Sequence, residues 1–304
     1  MQLEAAEHVD RKRVGTARKT IRHTYSYLFY LPAGLVYLVF FAVPTVIAFY
    51  FSMTRWTLFD SQFIGLENFR DFFQEQSLRI GLRNTLIYAV LTSGLKVVLG
   101  MLFAVLLTAP LRSRGFLRSV VFFPVLVSTV AVGITFQVLL QPDLGVVNSV
   151  LAHVGLTGPD WLGDPKTALV SVALVDVWKG VGLATVIYIA GILSIPTDYY
   201  EAVAVDGGGP LRKFWSITLP LASPATFTVI LLSLIGGLRS FDLIWTMTGG
   251  GPGFSSDTMA SIIYKQYQAG FYGLATAGNI VLFVLVSVIV FPMSRYFNSR
   301  EVER

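Results

Sequence analysis

Six apolar runs of about 20 residues or more, parted by polar stretches punctuated with glycine and proline, set the pattern of this chain. They extend from Tyr27 to Phe51, Asn84 to Thr108, Leu117 to Leu140, Ala168 to Leu193, Ser223 to Trp245 and Tyr272 to Phe297. Each is long enough to cross a hydrocarbon core about 30 Å thick as a helix. The pattern predicts an all-α polytopic membrane protein with six transmembrane helices. A domain over 27–297 then lies between a basic segment, 1–26, and a short tail, 298–304. Pro32 falls in the first turn of span one, where a missing N–H costs little, whereas Pro44 inside that span and Pro124 in span three predict kinks. The loop 52–83 mixes Phe63, Phe69, Phe72 and Phe73 with Glu67, Arg70, Asp71 and Glu75, which predicts a short amphipathic helix on the membrane surface or across the bundle mouth.

Charge orients the spans, because Lys and Arg are retained on the cytoplasmic side. Arg11, Lys12, Arg13, Arg18, Lys19 and Arg22 precede span one; Arg112, Arg114 and Arg118 follow span two; Arg212 and Lys213 follow span four; Arg295, Arg300 and Arg304 close the chain. These fourteen basic residues alternate with only six in the other loops (Arg55, Arg70, Arg79, Arg83, Lys166, Lys265). Both termini are therefore expected in the cytoplasm, and the basic N-terminus needs no nucleic acid partner. The first apolar run is too long for a cleaved signal. Only 13% of the 304 residues are charged, about half the share usual for a soluble domain. With no cysteine, disulfides, thiolate metal sites and a cysteine nucleophile are excluded. His8, His23 and His153 share no metal-ligand spacing, so no metal site is expected.

The stretch 196–222 stands apart because it is polar yet joins two apolar runs. Pro196 ends span four, Asp198 with Glu201 reads as a capping box, and Gly207 stops a helix of about two turns. Pro210 then opens a second short helix, Pro220 ends it, and Ser223-Pro224 restarts span five as N-cap and first turn. Helices this short are not stable alone, so a neighbour or partner must hold them.

The run Glu201-Ala202-x-x-x-Asp206-Gly207-x(9)-Ile217-x-Leu219-Pro220 resembles the EAA loop of permease subunits of binding-protein-dependent ABC importers. Phe63-Ile-Gly-Leu-Glu-Asn-Phe69, Phe122-Phe-Pro124, Gln141-Pro-Asp-Leu-Gly145, Asp176-Val-Trp-Lys179, Phe241-Asp242 and Thr248-Gly-Gly-Gly-Pro252 resemble the carbohydrate branch of that family, its first permease type, which handles maltose, other oligosaccharides and glycerol 3-phosphate. Val203 and Gly208-Gly209-Pro210 depart from the usual residues of the loop but leave its charged and turn positions intact. The resemblance implies a type I importer permease bundle in the cytoplasmic membrane of a prokaryote. Its implied partners are a second homologous permease, two copies of a cytoplasmic ABC ATPase, an extracytoplasmic solute-binding protein and membrane lipid. Glu201, Ala202, Asp206, Gly207, Ile217, Leu219 and Pro220 would then couple the chain to the ATPase, with Glu201 paired to a basic group there.

The chain lacks G-x-x-x-x-G-K-[ST] and any visible triad or carboxylate pair, so it is expected to be no enzyme and to bind no cofactor. ATP-Mg would sit on the partner ATPases. Polar residues within spans are costly and face a bundle interior or water. Asn84, Lys96, Gln137, Asp176, Trp178, Lys179, Arg239, Asp242, Trp245 and Asn279 are therefore candidates for a solute path. Gln137, Trp178, Trp245 and Asn279 suit a sugar by type, offering stacking faces and hydrogen bonds. The same basic residues could instead snorkel or pair with Asp176 and Asp242. Two other classes remain open: an ion-coupled secondary transporter, which needs a mid-membrane carboxylate, and a non-transporting membrane scaffold.

Overall fold

The computed structural model describes residues 27–57 and 59–302; the basic segment 1–26, with His8 and His23, and the last two residues lie outside the described residues. The chain divides into two compact units, 1–51 and 52–304. In the first, a 3-10 turn over Tyr27–Tyr30 leads into helix α1 (Leu31–Ser52). Pro32 stands in its first turn as the sequence predicts. Pro44 does not simply kink the helix. A π turn, Leu38–Ala42, precedes it, with the Val43 N–H reaching the Leu38 carbonyl. The wider turn shifts carbonyls to donors five residues on, so the helix passes the residue without an N–H.

The second unit begins with a small antiparallel hairpin, β1 (Thr54–Trp56) and β2 (Ser61–Phe63), paired Thr54 to Phe63. The fold is thus mostly rather than wholly helical. The amphipathic helix expected in this loop is α2 (Glu67–Gln74). It is anchored in protein: Asn68 donates to the carbonyls of Ser52 (2.9 Å) and Thr54 (2.8 Å), and Phe72 is buried among Leu78, Met259 and Ile262.

Helix α3 (Gln76–Thr108) starts a full two turns before the predicted Asn84. At 1.5 Å per residue it is about 50 Å long, well beyond the hydrocarbon core. The third run, predicted as one span with a bend near Pro124, is two helices, α4 (Arg114–Leu126) and α5 (Thr129–Leu139), at 99°. The break falls three residues after the proline, where Val127 turns extended (ψ 140°). A short helix α6 (Val146–His153) follows, held by Asn148, which donates to Pro142 and Pro159 carbonyls and accepts from the Trp161 indole at 2.6 Å.

Helix α7 (Ala168–Leu193) matches the fourth run. The elbow helices α8 (Thr197–Val205) and α9 (Pro210–Leu221) come next. Helix α10 (Ser223–Leu238) lies at 67° to α9. The fifth run was expected to reach Trp245, but the helix stops at Leu238. Arg239 (φ −105°, ψ 10°) ends it, and a separate short helix, α11 (Asp242–Met247), carries Trp245. Helices α12 (Met259–Gln268) and α13 (Tyr272–Val302) complete the chain.

The core of this unit is α3 packed along α7, with α10 against both. Lipid provides no hydrophobic drive between helices, so close backbone approach at small residues takes its place. A Cβ on Gly100 would stand 2.8 Å from that of Ala184, one on Gly237 would stand 2.7 Å from the Ala89 Cα, and one on Gly182 would meet the Val121 carbonyl. The described residues contain four helices long and apolar enough to span a membrane, or up to six if each bent pair counts as one.

Candidate functional site

Three features stand out in the second unit. The elbow is built first by its turn. Helix α8 ends at Asp206, and Gly207 takes φ +72°, a conformation that costs a side chain dearly. Gly207 and Gly208 donate to the carbonyls of Ala204 (3.0 Å) and Val203 (2.8 Å), closing the helix end. Gly208 has no room for a Cβ, because the Val203 side chain already fills that place.

Two capping expectations fail here. The N-cap of α8 is Pro196, without a side-chain bond, so Asp198 is a first-turn acid and Glu201 is free to project. Ser223 is likewise the first residue of α10 rather than its cap, which is Ala222. Pro220 does not terminate α9. A π turn, Phe214–Thr218, precedes it with the same spacing as in α1, and the helix runs on to Leu221.

The elbow has two faces. Phe214 and Leu219 pack on a cluster that includes Met101, Leu107 and Tyr188, with Ala222 beneath. Ile217 is half-buried and Thr218 buried, and the Thr218 hydroxyl lies 3.2 Å from the Tyr200 hydroxyl, joining α9 to α8. Outward stand Glu201, Ala202 and Asp206, all exposed, with Val205 at 88% and Leu211 at 76% exposure. Apolar side chains that open, flanked by charge and carried on α8 and on α9, which alone packs against the bundle, form a surface built to be covered.

The second feature is a polar seam where α3, α7 and α10 meet. Lys96 Nζ bonds Asp176 Oδ2 at 2.7 Å, the pairing the sequence offered as one alternative. Gly180 makes room for it, since a Cβ there would lie 2.6 Å from Lys96 Cε. The Ser93 and Ser233 hydroxyls bond at 2.8 Å alongside. A cavity of about 110 Å³ adjoins Lys96, walled mainly by Leu183, Ile187, Val229 and Leu232, with Gly180 and Ser233. The buried Tyr88 hydroxyl lies beside Asp176 and Ser240.

The remaining solute-path candidates divide. Trp178 stacks obliquely on Phe136 at 5.1 Å, beside the exposed Gln137. Helix α11 packs on α5 and α7, with Thr246 against Gly133, so exposed Asp242 and half-buried Trp245 belong to the same helix cluster as Gln137 and Trp178. Trp245 also joins Phe241 (5.7 Å) and Tyr264 (4.9 Å) in an aromatic group beside exposed Arg239. Asn279 is exposed on α13. Lys179 is half-buried and forms no ion pair among the described residues.

The third feature escaped the sequence reading. The loop Thr248–Thr258 wraps around Asp257, fully buried, which accepts from Lys265 Nζ and Ser261 Oγ, each at 2.7 Å. Gly250, at φ +89°, occupies ground where any Cβ would collide with that carboxylate. Asn84 ties the loop to α3 by donating to the carbonyls of Phe254, Ser255 and Asp257 at 2.9–3.3 Å. Thr248-Gly-Gly-Gly-Pro252 was visible as a motif, but a lone Asp eight residues before a Lys gives no sign of burial.

A family model described as binding-protein-dependent transport system inner membrane component matches residues 96–302. The chain belongs to this family. It is therefore a membrane-embedded permease subunit of a transporter. The trehalose/maltose transport system permease protein MalF of Thermococcus litoralis is 34% identical over 262 residues, 86% of this chain and 89% of that protein. The sn-glycerol-3-phosphate transport system permease protein UgpA of Pectobacterium atrosepticum is 30% identical over 283 residues, 91% and 94% of the two chains. Among solved structures, a chain of a bacterial alginate ABC transporter in complex with an alginate pentasaccharide-bound periplasmic protein superposes with a TM-score of 0.78 at 26% identity, covering 88% of this chain and 91% of that one.

Proposed function

We propose that this permease carries a sugar or sugar-like solute across the cytoplasmic membrane by alternating access, driven by a separate ATPase that grips the elbow 196–222. The observation that carries this reading is the elbow itself: Glu201, Ala202, Val205, Asp206 and Leu211 face outward, while Phe214 and Leu219 seat α9 on the bundle. A push on the outer face is passed through α9 to α10 and α7 without the elbow folding up. The trehalose/maltose and glycerol-3-phosphate relatives support a sugar or sugar-like solute. The alginate assembly supports an extracytoplasmic binding protein as partner.

In this reading the chain crosses the membrane six times, with the bent pair α4–α5 and the run from Ser223 to Trp245 each counted as one crossing and both termini cytoplasmic. A second homologous permease completes the path, and two ATPase copies hold the ATP-Mg. The polar seam at Lys96 and Asp176 and the surfaces of Gln137, Trp178, Arg239, Asp242, Trp245 and Asn279 form this chain's share of that path. The cavity of about 110 Å³ beside the seam must widen to pass a sugar, which is what helix movement driven at the elbow would do. ATP and the loaded binding protein act by favouring the outward-open state over the inward-open one. An ion-coupled carrier fits less well, because Asp176 is already neutralised by Lys96 at 2.7 Å.

Glu201→Lys and Gly207→Asp, introduced into the assembled importer, test this reading. Both chains should insert while uptake and solute-stimulated ATP hydrolysis disappear. Normal stimulated hydrolysis in both would overturn it.

A further inference from the structure

A polar cavity of about 570 Å³ opens where β1, α2, α12 and the start of α13 meet, a volume within the roughly 300–1,000 Å³ of small-molecule sites. Its walls are fixed by contacts already made. Buried Asn68 is held by the Ser52 and Thr54 carbonyls, the Trp56 ring packs on Tyr272 at 5.5 Å, and Gly273 has no room for a Cβ because the Thr54 carbonyl stands there. The lining carries both signs of charge and both senses of hydrogen bond. Asp71 and Glu75, one turn apart and so on one face, form no ion pair among the described residues, although Glu75 accepts from the Ser77 hydroxyl at 2.8 Å. Asn68 spends its amide nitrogen on the two carbonyls, and its Oδ1 accepts from no donor among the described residues. Donors face these acceptors. Arg55 gives Glu67 only one of its five N–H groups, at 2.8 Å. Gly273 and Leu274 stand in the first turn of α13, whose N–H groups have no helix carbonyl to reach. Trp56, half-buried, and Phe271, exposed, add aromatic surface.

We propose that this cavity binds a neutral sugar unit at the outer end of the permease, at a site that shares no residue with the solute path. A free anion there meets two carboxylates, and a cationic group meets Arg55 and the positive end of α13. A metal ion finds no group of three acidic or imidazole ligands among the described residues. An apolar molecule would strip water from the polar lining and return no hydrogen bond. A sugar satisfies the whole set: its hydroxyls donate to Asp71, Glu75 and Asn68 Oδ1 and accept from Arg55 and the α13 N–H groups, while its C–H face lies on an aromatic ring. The proposal rests on the outward placement of the loop 52–83 and goes beyond the import reading, which needs no such site.

The chain has no cysteine, so Thr57→Cys, an exposed position in the lining, reports on this cavity alone. The complete importer, its other subunits made free of cysteine, is placed in right-side-out membrane vesicles without the binding protein and labelled with a membrane-impermeant maleimide. Maltose or trehalose should slow the labelling severalfold, whereas phosphate and arginine should not. Asp71→Ala with Glu75→Ala, both on an exposed face, should raise the sugar concentration needed for protection by about tenfold or more, the worth of a hydrogen bond to a charged group. No protection by either sugar, protection by arginine or phosphate in their place, or protection that survives the double change overturns the proposal. Labelling only after the vesicles are opened overturns the outward placement and the proposal with it. Uptake is scored in the same vesicles supplied with binding protein and internal ATP. Sugar uptake without protection removes the cavity site and leaves the import reading standing; protection without uptake sinks that reading and leaves the cavity site.

Discussion

Replacing Asp176 with Asn should destabilise this protein through the charge it leaves behind. Lys96 Nζ and Asp176 Oδ2 are 2.7 Å apart, with side-chain exposures of 10% and 20%. At an effective dielectric constant of about 20 their attraction is roughly 6 kcal/mol, but desolvating each ion costs several kcal/mol, so the intact pair contributes little net stability. Removing one partner is different: an uncompensated buried charge costs about 3–5 kcal/mol. The partial exposure of Asp176 places this case at the low end, about 3 kcal/mol. That corresponds to an apparent melting shift of roughly 6–12 °C for a domain of this size. The assay is thermal unfolding of the purified permease complex for Asp176→Asn, Lys96→Met, and the two together. Each single change should lower the midpoint, and the double change should recover most of the loss, because no charge is then stranded. A double variant as unstable as the sum of the two would refute the reasoning.

Other outcomes follow from contacts of the same kind. Gly250→Val should cost at least 3 kcal/mol, from left-handed backbone strain and collision with Asp257; chemical denaturation of the purified chain measures it, and an unchanged midpoint would show that the loop yields freely. Asn84→Ala strands three carbonyl acceptors of the Thr248–Thr258 loop and should cost about 1–3 kcal/mol, seen as faster proteolysis within that loop. Gly237→Val should separate α10 from α3, since even a Cβ would stand 2.7 Å from the Ala89 Cα, and should lower the yield of folded protein in membranes. Trp178→Ala, on an exposed face but against Phe136, should cost at most about 1.5 kcal/mol of stability while abolishing most uptake of the solute; uptake reduced only as far as the yield of folded protein would make it a packing residue.

Where one side chain carries a local rule, sequence and structure agree. Hydropathy locates Ala168–Leu193 to the residue, because Asp164, Lys166 and Thr167 precede it and Ser194 and Pro196 follow it. Gly207 is legible because few other residues tolerate its turn. Prolines are legible only in part: Pro44 and Pro220 both sit two residues beyond a π turn that lets the helix continue, and nothing local announces the extra residue in that turn. The break at Val127 and the stop at Leu238 depend on what the neighbouring helices allow, so an unbroken apolar run conceals them. The Asp257–Lys265 pair lay hidden because burial of a loop carboxylate is a property of the surrounding fold. The Lys96–Asp176 pair could be offered as an option but not chosen, because the register between α3 and α7 is set by glycines such as Gly100 and Gly180.

The account's central claim is that the outer face of the elbow meets the ATPase. Cysteine crosslinking in the assembled importer tests it most directly, with Ala202→Cys or Val205→Cys in this chain and single cysteines scanned across the ATPase surface. The account predicts a crosslink from both positions to one cleft of the ATPase, its yield changing when ATP binds. No crosslink at any ATPase position, together with labelling of these cysteines from outside the cell by a membrane-impermeant thiol reagent, would contradict it.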